Sequence, residues 1–137
     1  MEIRRRTIKS YVLRQGRLTR GQQQALEKLW PVYGIDFKAE LLDLDTLFKR
    51  SAPIVLEVGF GNGDSLFQQA VSNPNNSYIG IEVHRPGVGH LLHLAGDAGI
   101  TNLRVINHDA VEVLQLQIPD HSLDCVQLFF PDPWHKK

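Results

Sequence analysis

The hydrophobic positions of this 137-residue chain change period along its length. Between Thr19 and Pro31, the side chains of Ala25, Leu26, Leu29 and Trp30 fall on one helical face, and Thr19 with Gln22 makes a capping-box pair at the start. Pro31 lacks a backbone N–H and crowds the preceding turn, so the helix is expected to end there. Leu41, Leu42, Leu44, Leu47 and Phe48, set among Asp43, Asp45 and Lys49, predict a second amphipathic helix. From Pro53 onward the pattern becomes short unbroken apolar runs that alternate with helical spacing. Residues 54–58, 78–83, 103–106 and 123–130 read as strands, the first of them buried on both faces. Residues 65–71, 86–98 and 111–117 read as helices, with Pro86 in the first turn of the second and Gly99 just beyond its end. Four strands alternating with helices predict an α/β fold: a parallel sheet with right-handed crossovers, flanked by helices.

Composition changes this picture in two places. The 42% apolar content and the lack of any membrane-spanning stretch fit one soluble domain with no membrane partner, and the net charge is zero. That zero hides a split, because Arg4, Arg5, Arg6, Lys9, Arg14, Arg17 and Arg20 stand against Glu2 alone at the start while the remainder is acidic. The basic end is a candidate electrostatic arm for a polyanion. It is poor in Ser and no hydrophobic region follows it, which argues against a targeting segment. The single Cys125, among Leu123, Val126 and Leu128, is expected to pack as a small apolar residue; it can form neither an internal disulfide nor a thiolate metal cluster, and a reducing cytoplasm fits. Of six histidines only His90 and His93 share a helical spacing, and amid Leu91, Leu92 and Leu94 they read as partly buried helix residues, so no metal is expected.

The candidate chemistry gathers at strand ends. Gly59-Phe60-Gly61-Asn62-Gly63 follows the first strand and opens a helix, which lets a ligand approach a helix N-terminus. A dinucleotide fingerprint would carry glycine where this chain has Asp64. Two carboxylates beside the loop, Glu57 and Asp64, would repel a pyrophosphate but suit an ammonium and a sulfonium, favouring S-adenosylmethionine over NAD. Glu82, after the second strand, has the place and type of a ribose acceptor, and Asp109, after the third, could accept from an adenine amino group. Each acid alone could equally be a helix cap or a turn carboxylate. The fourth, Asp132, lies between Pro131 and Pro133 on a stiff turn, with Trp134 as a stacking plane for a base and Lys136 and Lys137 suited to phosphate; a proline-rich loop with a buried indole is the alternative.

Taken together, Leu56-Glu57-Val58-Gly59-Phe60-Gly61-Asn62-Gly63, Gly80-Ile81-Glu82-Val83, Asn107-His108-Asp109-Ala110 and Phe129-Phe130-Pro131-Asp132-Pro133-Trp134-His135-Lys136-Lys137 resemble the bacterial tRNA (guanine-N7)-methyltransferase family. Gln15-Gly16-Arg17-Leu18-Thr19 and Leu29-Trp30-Pro31 with Tyr33-Gly34 extend the likeness toward the start. The resemblance implies a class I, Rossmann-like methyltransferase fold with an incomplete parallel sheet, S-adenosylmethionine as donor, and the guanine at position 46 of the tRNA variable loop as acceptor. By motif match it implies donor contacts from Glu57, Glu82, Asp109 and Asp132 around Gly59, Gly61 and Gly63, with Asp132 also the catalytic acid and Lys136 a substrate contact. Residues 1–34 are expected to form the arm and short helix, and 35–137 the first part of the methyltransferase domain. Family members continue past the lysine pair, so the chain is expected to be truncated, a donor-binding half whose open sheet edge could support a dimer. Two other readings stay open: another S-adenosylmethionine-dependent nucleic-acid methyltransferase, given the partial likeness of Pro131-Asp132-Pro133-Trp134 to an Asp-Pro-Pro-aromatic pattern, and a non-catalytic RNA-binding fragment.

Overall fold

A computed structural model describes residues 18–128. The expectations for the basic arm before Arg17, and for Asp132, Trp134 and Lys136, lie outside the described residues. In chain order the elements are α1 (Arg20–Tyr33), α2 (Leu44–Phe48), β1 (Ile54–Val58), α3 (Asp64–Ser72), β2 (Ser77–Ile81), α4 (Arg85–Ala98), β3 (Leu103–Ile106), α5 (Ala110–Leu116) and β4 (Cys125–Leu128).

The strands form one parallel sheet in the order β3-β2-β1-β4. The chain steps outward from β1 to β3 and then returns to the other side of β1, which makes the β1/β4 boundary the switch point of the sheet. Val58, Ile81 and Ile106 are register partners, so β1, β2 and β3 finish level and their following loops emerge along one edge. Alternation along the strands feeds two cores. Val55, Tyr78, Leu103 and Val105 pack with Leu66, Leu91 and Leu92, whereas Ile54, Leu56, Ile79 and Ile106 pack with Leu44, Phe48 and Val113. Leu66, Leu91 and Leu92 are fully buried, so cutting any one to Ala should cost about 2–5 kcal/mol. The class I Rossmann-like expectation describes this sheet.

The Thr19–Gln22 box forms as read: Thr19 Oγ1 accepts from the Gln22 N–H at 3.0 Å, and Gln22 Oε1 accepts from the Thr19 N–H at 2.9 Å. The helix does not stop at Pro31 but continues to Tyr33. In the last turn proline forfeits one N–H bond, while Gly34 N–H still closes on the Trp30 carbonyl at 2.7 Å and the Tyr33 hydroxyl donates to the Ile100 carbonyl at 2.7 Å. Beyond it, Ile35 N–H donates to Val105 O at 2.8 Å, which covers the β3 edge. Packing of α1 on α4 is close: a Cβ on Gly89 would lie 2.9 Å from Gln22 Cβ. The second helix is only five residues long, because Asp43 caps it by accepting from the Thr46 N–H and Lys49 ends it in the left-handed region at φ 58°.

Cys125 is exposed rather than packed, since among the described residues β4 lies at the edge of the sheet, and Val126 and Leu128 beside it are exposed as well. His93 is likewise exposed, and only His90 is half-buried. Among the described residues no helix is long and apolar enough to cross a membrane.

Candidate functional site

The loop after β1 is built by backbone need before any ligand enters. Gly59, Gly61 and Gly63 have φ of 72°, 66° and 81°, a region that costs other residues about 1–2 kcal/mol each. Gly59 N–H donates to Ile81 O at 2.7 Å and ties the loop to the end of β2. Gly63 is the N-cap of α3 and supplies no side-chain cap to the first backbone N–H groups of that helix. The first turn of α4 presses on the same loop, where a Cβ on Gly87 would stand 2.0 Å from the Gly61 carbonyl oxygen.

Glu82 follows β2 directly and is 8% exposed. Its Oε1 accepts from the Gly61 N–H at 2.7 Å, and its Oε2 accepts from the Val83 and His84 N–H groups at 3.0 Å each. The Asn107 amide, just past β3, donates to the Glu82 carbonyl at 2.8 Å and joins the second and third strand ends. A carboxylate offers about four acceptor positions, of which these three backbone N–H groups occupy three.

Glu57 occupies the next-to-last position of β1 and is 4% exposed. It pairs in register with Gly80 and Gln127. Burial pushes its carboxyl pKa up, and the nearby Gln69 amide only partly offsets this. Gln127 Nε2 donates to Gln69 Oε1 at 2.9 Å, yet Glu57 Oε2 and Gln127 Oε1 are both buried without a partner among the described residues. Asp64 is placed differently: it is exposed and meets His90 Nε2 at 3.0 Å. The two acids flanking the loop in sequence thus stand in unlike surroundings, one enclosed under α3 and one in water.

Asp109 begins α5 and its Oδ2 accepts from the Glu112 N–H at 3.3 Å, so it serves as a helix cap at the third strand end. Beside it, His108 Nε2 meets Glu112 Oε1 at 2.6 Å and stacks on Phe37 with ring centroids 3.8 Å apart. The fold therefore gathers Glu57, the glycine loop, Glu82 and Asp109 at the carboxyl ends of three adjacent strands. Asn107, Gln69, Gln127 and Gly87 join them and were missed by the sequence reading. For Gly87 the signal was present in Pro86-Gly87-Val88-Gly89, two glycines inside a helical pattern, which marks close backbone approach.

A family model described as "Putative methyltransferase" matches residues 51–137. A tRNA (guanine-N(7)-)-methyltransferase of Aeromonas hydrophila subsp. hydrophila is 64% identical over 131 residues, covering 96% of this chain and 55% of that protein. One from Yersinia pestis (strain Pestoides F) is 62% identical over 131 residues with the same coverage. The chain spans about half the length of these curated relatives. Among solved structures, a 30S ribosomal A1408 methyltransferase from an uncultured bacterium superposes with a TM-score of 0.54 at 20% identity, over 74% of this chain and 50% of that one, a likeness of fold.

Proposed function

The chain belongs to the methyltransferase family whose model matches residues 51–137, and from that premise we propose that it is the donor-binding part of an enzyme that methylates N7 of a guanine in tRNA. The observation that carries this reading is the 64% identity over 131 residues to a relative named for that reaction. S-adenosylmethionine is the proposed donor and supplies the methyl group; position 46 of the variable loop is the proposed acceptor, and the cytoplasm the proposed compartment. Residues 1–34 are proposed as arm and helix, and 35–137 as the first part of the methyltransferase domain.

The residues present fit that donor. Glu82 retains one acceptor position for a ribose hydroxyl, the start of α3 offers backbone N–H groups to a carboxylate, and Glu57 has an unpartnered buried oxygen. Gly59, Gly61 and Gly63 keep side chains out of this approach, and Asp109 would accept from the adenine amino group. Guanine N7 carries an in-plane lone pair and no proton, so the protein needs no base to create the nucleophile. Holding the reacting atoms in line is the main task, worth about 7–11 kcal/mol in well-oriented systems. Asp132 is the proposed catalytic acid: it contacts the donor and stabilises positive charge developing on the purine. Trp134 would stack on the base and Lys136 would hold phosphate.

Calorimetry of this chain with S-adenosylmethionine should show saturable binding. Labelled methyl transfer to unmodified tRNA by a parent-length chain should be strong and should fall steeply in Asp132→Ala while tRNA binding persists. A folded chain with no donor binding, or a methyl group mapped to any atom other than guanine N7, would overturn the reading.

A further inference from the structure

Between α1 and the ends of β2 and β3 lies a cleft of about 490 Å³, lined by α1 from Gln23 to Pro31, by residues 35–37, by Arg85 and by Asn107. Its size falls in the range of small-ligand sites. Resting on the reading of tRNA as partner, we propose that this cleft takes one unpaired nucleobase of the RNA, stacked against Trp30 and Phe37 and separate from both donor and acceptor guanine.

Both rings are held in place before anything binds. Trp30 Nε1–H donates to Asp36 Oδ1 at 2.8 Å, and Gly34 lies flat on the indole, where a Cβ would fall 2.0 Å from Cδ2. Phe37 stacks on His108 at an interplanar angle of 6°, and His108 is held in turn by Glu112 at 2.6 Å. Fixed rings cost little further ordering when a base stacks on them. The polar lining of Gln23, Glu27, Arg85 and Asn107 mixes donors with acceptors, as the edge of a neutral heterocycle requires. A bare phosphate would meet the carboxylates of Glu27 and Asp36.

The cleft opens on the β3 side of the sheet, away from β4, which lies on the other side of β1. It nevertheless touches the donor edge, because Asn107 donates to the Glu82 carbonyl and Arg85 follows His84, whose N–H is on the Glu82 carboxylate. In sequence, α1 comes directly after Arg4, Arg5, Arg6, Lys9, Arg14 and Arg17. Along the chain those cations stand close before Gln23, which begins the lining, so they can hold the phosphates of the same RNA strand.

The test uses Trp134→Phe, which leaves Trp30 as the single indole. Titration with a mixed-sequence single-stranded RNA oligonucleotide should quench its emission saturably, with and without saturating S-adenosylmethionine. Stacking energies of the usual size predict about tenfold weaker binding in Phe37→Ala. Gln23→Ala, a change on the exposed face of α1, should keep the fold and weaken binding about threefold, since it removes an uncharged donor and acceptor from the base edge. Absence of quenching in the folded chain, full competition by the donor, or unchanged affinity in both variants would overturn the proposal. Donor calorimetry is read separately: quenching without donor binding would overturn the methyl-transfer reading and leave the cleft standing, while donor binding without quenching would do the reverse.

Discussion

Glu82 Oε1 accepts the Gly61 N–H at 2.7 Å, so the acid proposed to read a ribose is also the clasp that closes the glycine loop onto the end of β2. On that proposal, ligand recognition and loop shape depend on one carboxylate. Glu82→Gln replaces an acceptor oxygen with a donor that cannot serve the Gly61, Val83 and His84 N–H groups together. We expect faster hydrogen exchange at those amides, a stability loss of about 1.5–3 kcal/mol, and donor affinity at least about tenfold weaker. Exchange monitored by NMR beside calorimetry checks it. Unchanged exchange at Gly61 with donor affinity lost would leave Glu82 as a ligand contact only.

Helix propensity and packing make opposite predictions at Gly87. Alanine in a helix interior is ordinarily favoured over glycine by about 1 kcal/mol. At Gly87, however, the added Cβ would sit 2.0 Å from the Gly61 carbonyl oxygen, a backbone atom that moves only if the glycine loop moves. Gly87→Ala should therefore destabilise the chain by about 1–3 kcal/mol and weaken donor binding. Gly21→Ala is the matched control, since its Cβ would meet nothing nearer than Thr19 Oγ1 at 4.0 Å, and it should stabilise by about 0.5–1 kcal/mol. Urea midpoints of the two variants decide between propensity and contact.

Glu57 predicts a pH dependence of definite sign. Its folded pKa lies above the ordinary glutamate value of 4.5 because burial disfavours the charged form. Between the two values the folded chain holds more protons than the unfolded one, so this contribution is fully present below 4.5 and is lost as pH rises through the folded pKa. Glu57→Gln cannot titrate and keeps the shape. Stability of the parent chain relative to this variant should fall as pH rises through that window, by at most about 1.4 kcal/mol per pH unit. Urea unfolding at a series of pH values checks it, and a flat difference would show that the carboxyl is not buried as described.

The parts of this fold visible in the sequence are those with strong local causes. The first and third strands were read to the residue, 54–58 and 103–106, because each is a short run, apolar but for Glu57 or Arg104, closed by polar or glycine punctuation. Thr19 and Gln22 announced their helix start because a cap is made within four residues. What the pattern missed depends on partners far along the chain. The end of α1 is decided by Tyr33 meeting Ile100, and the exposure of Cys125 by β4 lying at the edge of the sheet. In the site, Glu82 and the glycines were legible from spacing. The bond between Glu82 and Gly61, and the enclosure of Glu57 with Gln69 and Gln127, arise from register between strands that sequence spacing does not encode.

Electrostatic binding by the basic end can be separated from folding because the cap of α1 is complete without it. Thr19 and Gln22 satisfy each other, so deleting residues 1–17 removes Arg4, Arg5, Arg6, Lys9, Arg14 and Arg17 and leaves the capping box intact. Phosphate contacts release counterions, and each adds about 0.7–0.9 to the slope of log affinity against log salt. With all six cations on phosphate, the deletion should make that slope shallower by about 4–5 and weaken tRNA binding most at low salt. Because phosphate contacts carry no base information, the loss should be similar for tRNAs of different sequence. Filter binding across a salt series measures both quantities. An unchanged slope in a chain whose helical circular dichroism is retained would show that the arm makes no phosphate contacts, and would move the RNA-binding energy onto the cleft and the strand ends.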